Sequence, residues 1–499
     1  MRKILSTAFL LAASLAFSLV FAQQSVERGI VYANLISEHE LEKNVRVLAS
    51  DGLEGRKTGE KGQKMAAFFI REQFIQAGLQ PLIETNLGKT YFQHFELENS
   101  HILSFHLADA KGGKVTEVIA NPYSDIETAE KITFRFVQDI KTVGTSNAGE
   151  AIVWVLDESK KLSDAFWGEE FENINHDLRS KGIRYVFYAV KNTEKFTQAQ
   201  KMFAGNPHLS GARMRLTGKN KTGIALLGNE GFKKIFGLNI EQAVAKKSEI
   251  MVKGSVLAEK KSEVTATENV LGYIPGSEFP DEVIVISAHY DHLGVHKNGQ
   301  VYKGADDNAS GTCGLIEIAK AFGKAKSVGD FPKRSVLFIA YSAEEQGMLG
   351  SEYYTDYAPV FPMEKTVVNL NVDMIGREHT DTKFTADNYV SLVGSDWLSP
   401  ELHEITESVN KNYVGLELDY TYNDKNHPER YFYRSDQYNF AKYDIPVIFY
   451  TGPDHADYHQ LTDDPDRLLY ARAEKVSKLI FLTAWEVANR DNRLKIQPK

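Results

Sequence analysis

The second half of the chain repeats one device: an apolar, largely β-branched run that stops at a histidine or a carboxylate. Val283 to Ile286 precedes His289, Ser335 to Ala340 precedes Glu344 and Glu345, and Thr366 to Met374 carries Asp373. Val447 to Tyr450 precedes His455 and His459. Apolar runs without polar alternation are strands covered on both faces. Tyr389 to Val393 reads as a further strand. Helical spacing fills the gaps, over Ser310 to Phe322, Leu349 to Tyr357, about Pro400 to Lys411, and Arg467 to Arg490. Strand and helix in alternation predict an α/β fold, a mostly parallel mixed sheet flanked by helices. Ligands of such sheets bind beyond the carboxyl ends of the strands, where these charged residues fall.

At 499 residues the chain exceeds one typical core, so two domains are expected. From about Asn99 to Ala266 the texture changes to short strand-like runs, Ile132 to Val137, Ala151 to Leu156 and Tyr185 to Ala189, separated by polar helical stretches. The expected division is 23–98 and 267–499 for the main domain, with 99–266 inserted as a smaller α+β domain. Ahead of these, Arg2 and Lys3 start a positive leader, Ile4 to Phe21 form an apolar stretch, and Val20-Phe21-Ala22 offers a cleavage site. Residues 1–22 read as a secretory signal peptide. A secreted or periplasmic protein is expected, without stable membrane association after cleavage. The net charge of −9 argues against a nucleic-acid partner or an anionic membrane surface. Cys313 is the single cysteine, read as a small buried hydrophobe, so no intramolecular disulfide forms.

The charged residues form a chemistry. His289 and Asp291 are two apart, which on an extended backbone places them on one side. A metal-bound imidazole needs an acceptor at its other nitrogen, and Asp291 can orient His289 or ligate directly. Gly304-Ala305-Asp306-Asp307-Asn308-Ala309-Ser310-Gly311 crowds acidic and small residues ahead of a helix, more than an N-cap requires. Glu344-Glu345 closes an apolar strand, and two buried carboxylates are costly without cations. They divide into a metal ligand and a general base, although spacing alone assigns neither. Asp373 ends a third apolar strand, and His459, with His455 as rival, adds an imidazole. Imidazole with carboxylate suits zinc, and so large a ligand set suits two ions sharing a carboxylate and a water. Two Zn2+ ions and a glutamate base make a hydrolase site.

These motifs, spread over about 170 residues, resemble those of the secreted di-zinc aminopeptidases, the family related to glutamate carboxypeptidases and the transferrin receptor. Leu53-Glu54-Gly55-Arg56 resembles the family's N-terminal catalytic segment. The resemblance implies a zinc exopeptidase fold acting on peptides. It implies that Asp307 bridges two metals and joins Asn308 through a cis peptide. His289 and Asp373 would complete one metal site, Glu345 and His459 the other. It gives Glu344 as general base, Asp291 as support of His289, and Tyr458 as a group that polarises the substrate carbonyl. Ser435-Asp436 matches another recurring pair, and His455 falls outside the ligand positions. The stretch 99–266 falls where relatives carry a protease-associated domain, which could limit access to short peptides. A carboxypeptidase or dipeptidase on the same metal core is the nearest rival; a one-zinc glutaminyl cyclase and a non-catalytic binding module are more distant. Oligomeric state is not legible.

Overall fold

The computed structural model describes residues 26–121, 126–159, 169–204, 212–214, 222–379 and 383–497. The signal peptide expected over 1–22 lies outside the described residues. The chain divides into two compact units, Met1–Phe95 with Ala266–Lys499, and Glu96–Thr265.

In the first unit, helix α1 (Glu38–Leu48) starts where the Ser37 hydroxyl accepts the Glu40 N–H, and it buries Leu41, Val45 and Leu48 on one face. Helix α2 (Lys61–Gln76) follows. The end of strand β1 (Ile250–Ile274) then enters a sheet with β2 (Phe279–His289), β3 (Arg334–Tyr341), β4 (Thr366–Asp373), β5 (Tyr389–Val393), β6 (Glu417–Asp419) and β7 (Val447–Thr451). Their order is β6-β5-β7-β4-β2-β3-β1. The central strands β3, β2, β4 and β7 are mutually parallel, while β1 and β5 run against their neighbours β3 and β7. The sheet is therefore mostly parallel, as the apolar runs require.

Alternation along β2 explains why its sequence shows no polar face. Ile284, Ile286 and Ala288 join a core with Ile316, Phe322 and Trp485. Those last three come from helices α3 (Gly311–Ser327) and α5 (Tyr470–Asn489). Val283 and Val285 point the other way, into a cluster with Tyr354, Phe440 and Phe449. Helix α4 (Pro400–Val409), started by Ser399, lies between β5 and β6 in sequence. Cys313 is wholly buried at the start of α3, as expected of a small hydrophobe. Farther along, α3 passes so close to the end of α2 that a Cβ on Gly323 would lie 1.8 Å from the Ala77 carbonyl oxygen. Register levels the sheet's carboxyl edge: His289 lies opposite Tyr341, and Asp373 opposite Thr451.

In the second unit, Ala129–Phe136, Glu150–Val155, Tyr185–Val190 and Gly223–Gly228 are consecutive parallel neighbours, with Val118–Ala120 antiparallel at one edge. Phe134, Val153 and Phe187 fill one core, and Ile152, Val186 and Tyr188 another. Among the described residues, no helix is long and apolar enough to cross a membrane.

Candidate metal centre

The strands deliver their charged residues by turning abruptly. Ala343 (φ 64°) precedes Glu344, Met374 (φ 61°) follows Asp373, and Gly304 (φ 54°) opens the loop to Asp307. His459 itself sits at φ 57°. Left-handed backbone costs a non-glycine residue about 1–3 kcal/mol and persists only where the surroundings over-determine it. Three such residues at one sheet edge mark a place where side-chain direction outweighs local comfort. The Asp307–Asn308 peptide bond is cis.

Those turns bring five side chains together. His289 Nε2 lies 3.3 Å from Asp307 Oδ1 and 3.2 Å from Asp373 Oδ1. His459 Nε2 lies 3.0 Å from Asp307 Oδ2 and 3.1 Å from Glu345 Oε2. Asp307 thus serves both groups, one oxygen to each. Glu344 stands just outside, with Oε2 3.9 Å from His289 Nε2. Among the described residues, no lysine or arginine pairs with Asp307, Glu344, Glu345 or Asp373.

The electrostatics follow. Burial would lower the His289 pKa, but Asp373 and Glu344 hold it well above the histidine range. Burial likewise opposes the charge on His459, yet hydrogen bonds to Asp307 and Glu345 push it up to about 10. Burial raises the Asp307 carboxyl, and the bonds from His289 and His459 overcome that and hold it well below the carboxylate range. Glu344 goes the other way, with burial driving its pKa well above the carboxylate range despite the attraction of His289. Two adjacent glutamates are therefore pushed apart, Glu345 down and Glu344 up.

A hydrogen-bond chain through the sheet anchors Asp373. Asn369 Nδ2 donates to Ser287 Oγ, which donates to Asn371 Oδ1, each at 2.8 Å. Asn371 Nδ2 donates to Ser435 Oγ at 2.9 Å, and Ser435 donates to Asp373 Oδ2 at 2.7 Å. Each donor in such a row polarises the next. Asp436 beside it is buried, which pushes its carboxyl up to about 7. The Asp307 loop is held from behind by Asp463, whose carboxylate accepts the backbone N–H groups of Asp306 and Asp307 at 3.0–3.1 Å. Arg56 is wholly buried and donates to the carbonyls of Leu48, Tyr290, Lys303 and Gly304. That ties the Leu53–Arg56 segment to the backbone around the strand end and the loop.

Among the residues singled out from sequence, His289, Asp307, Glu345, Asp373 and His459 converge, and Glu344 stands beside them. Asp291 sits under His289 by a different contact: its carbonyl oxygen is 3.3 Å from His289 Nδ1, and its carboxylate 3.7 Å. That carboxylate accepts the Thr58 hydroxyl and the Glu344 N–H. Tyr458 stacks on His459 at 3.9 Å between ring centroids and lines the cleft with Met374, Arg434 and Phe449. His455 faces Asp306 instead, at 3.2 Å. One residue was missed. His292 places Nδ1 2.8 Å from Glu345 Oε1 and 3.7 Å from Asp307 Oδ2, so with those two it forms a further donor group. In sequence it stands three residues after His289, but nothing in that spacing marks it as a partner of Glu345.

Residues 269–484 match the model of peptidase family M28. Aminopeptidase YwaD of Bacillus subtilis (strain 168) is 28% identical over 208 residues, 40% of this chain and 39% of that protein. Aminopeptidase NAALADL1 of Mus musculus is 35% identical over 120 residues, 24% of this chain and 15% of that protein. The chain thus spans well under half the length of each of these curated relatives. The solved structure of BSAP, a zinc aminopeptidase from Bacillus subtilis, aligns with a TM-score of 0.48 at 15% identity, covering 91% of this chain and 96% of that one. Residues 269–484, the stretch that matches peptidase family M28, carry all of the converging side chains.

Proposed function

We propose that the chain is a secreted di-zinc aminopeptidase that removes residues from the N-terminal end of peptides. One observation carries this reading: Asp307 gives Oδ1 to the group of His289 and Asp373, and Oδ2 to the group of His459 and Glu345. Imidazole and carboxylate donors suit zinc, and two groups sharing one carboxylate suit a pair of ions. The spacing fits as well. Donor atoms 3.0–3.3 Å apart approach the edge, roughly 3.3 Å, of a tetrahedron with bonds of about 2.0 Å. The buried negative charge, without lysine or arginine ion-pair partners among the described residues, favours cations.

Zinc held there supplies Lewis acidity, which brings the pKa of a water to about 7 and polarises a carbonyl. Glu344 acts as general base, taking the proton of the attacking water and returning it to the leaving amine. Its place in the cleft, 3.9 Å from His289, supports that role, as does a carboxyl raised by burial. Asp291 fixes the orientation of His289 from beneath. The Tyr458 hydroxyl orients the substrate carbonyl in the cleft it lines. The names of the matched aminopeptidases support action at the N-terminus. Secretion rests on the leader-like residues 1–22. The reading of 99–266 as a protease-associated insertion rests on the strand-helix-strand rhythm of its sequence.

A short peptide panel incubated with the purified chain, and read by mass spectrometry, tests the reading. Stepwise loss from the N-terminus, abolished by a chelator and restored by zinc, is expected. Loss from the C-terminus would keep the metal chemistry and reverse the polarity; no metal-dependent cleavage would sink the proposal.

A further inference from the structure

One buried imidazole at this site belongs to no part of that mechanism. The His292 side chain has no exposed surface, although it lies among carboxylates at the sheet edge. Its ring is fixed from several directions. Its backbone N–H donates to the Arg56 carbonyl at 3.3 Å. The ring packs against Gly304, where a Cβ would meet Cδ2 at 2.4 Å and Cγ at 2.5 Å. Only a residue without a side chain leaves room for it there, and Gly304 also adopts φ 54°.

So placed, the imidazole divides Glu345 with a second histidine. His292 Nδ1 lies 2.8 Å from Oε1, while His459 Nε2 lies 3.1 Å from Oε2. The two contacts differ in kind. At 2.8 Å the first has the length of a hydrogen bond to a charged acceptor, about 2.7–2.9 Å. It is shorter than the 3.0–3.3 Å spacing among the proposed ligand atoms. His292 Nδ1 also stands 3.7 Å from Asp307 Oδ2, well beyond the 3.0 Å of His459. The tautomer agrees. His292 Nε2 is buried without a hydrogen-bond partner among the described residues. With the proton on Nδ1, what is left unpartnered is a lone pair rather than a buried N–H donor.

We propose that His292 is a positioning residue of the second metal site, donating from Nδ1 to Glu345 Oε1 so that Oε2 is presented beside His459 Nε2 and Asp307 Oδ2. The role rests on the two-metal reading above. Its physical content is preorganisation, because a carboxylate pinned at one oxygen does not swing away from its partners when the site is empty. His289 has such support from Asp291, and Asp373 from Ser435. His292 gives Glu345 the same support, so each group has its own anchored ligand.

Metal binding to the apo form of the full chain tests this without any substrate. Zinc is titrated against a chromophoric chelator, with cobalt absorption as a second readout. Wild type is expected to take up two ions. His292→Ala is expected to weaken one of them 10- to 100-fold and leave the other unchanged. His292→Asn, whose amide nitrogen falls near the Nδ1 position, recovers most of the loss, whereas His292→Gln does not. The cobalt spectrum of His292→Asn keeps its wild-type form, and that variant guards against a mere failure to fold. Unchanged affinity in His292→Ala, or equal weakening at both sites, overturns the role. A cobalt spectrum altered in both the Ala and Asn variants also overturns it, by assigning His292 as a direct ligand. A wild type that binds fewer than two ions instead refutes the two-metal reading itself, and this role falls with it.

Discussion

Glu344 and Glu345 are neighbours in sequence and opposites in setting. Glu345 meets two histidines, whereas Glu344 has burial and like charges around it, with the His289 imidazole 3.9 Å away. The proposed division of labour follows from that difference. Glu344→Gln keeps the shape and removes the proton acceptor. It is expected to retain wild-type metal content by elemental analysis while its kcat falls about 10²–10⁴-fold. Preserved turnover would remove Glu344 from the mechanism. The carboxylates were legible in the sequence because a charge at the end of an apolar strand has few innocent explanations. His292 was not, because its importance depends on Gly304 leaving space for a ring and on Glu345 arriving from another strand. Ser287, Asn369 and Asn371 were hidden for a related reason. Inside an apolar run a small polar residue looks like noise until the neighbouring strand supplies its partner.

Elements were legible where burial was two-sided. The central strands β2, β3, β4 and β7 appear near their expected positions because each holds a short run dominated by buried β-branched and large apolar residues. β1 was missed as one strand: Ile250–Ile274 passes through Glu259-Lys260-Lys261-Ser262-Glu263, a contiguous polar run that resembles a loop. The left-handed turns at Ala343 and Met374 were also invisible, since neither residue is a type that favours that backbone. Helix α5 holds a feature of its own. Glu486 is 5% exposed, its Oε2 has no hydrogen-bond partner among the described residues, and Arg490 reaches Oε1 at 3.4 Å. Burial outweighs Arg490 and raises the carboxyl to about 7, above its ordinary 4.5. The folded state therefore holds this proton longer than the unfolded state. Its contribution to stability is full below pH 4.5, declines as pH rises, and is lost above about 7. Glu486→Gln mimics the protonated form. In urea denaturation it is expected to be more stable than wild type at pH 8, by on the order of 2 kcal/mol, with the two converging toward pH 4.5. Equal stability across that range would mean that Glu486 ionises freely within the fold.

At the scale of the molecule, the site gathers residues from both ends of the first unit. Arg56 comes from the segment before α2, His289 through Asp373 from the sheet, and His459 from the loop before α5. Ions bound across these segments would act as cross-links that the chain, with one cysteine, cannot make covalently. Zinc at about 100 times its dissociation constant adds roughly 2.7 kcal/mol per site. The apo form is therefore expected to melt several degrees below the zinc-loaded form in a thermal scan. Coincident melting curves would mean that no ion binds the folded state preferentially.

Cys313 gives that cooperativity a gauge. The chain's one thiol is wholly sealed at the head of α3, the helix that begins where the Asp307 loop ends. A thiol reagent can reach it only while that helix has lifted from the sheet. The rate at which an otherwise inert reagent consumes the protein therefore times the opening of the centre's own foundation, and no probe need be installed to read it.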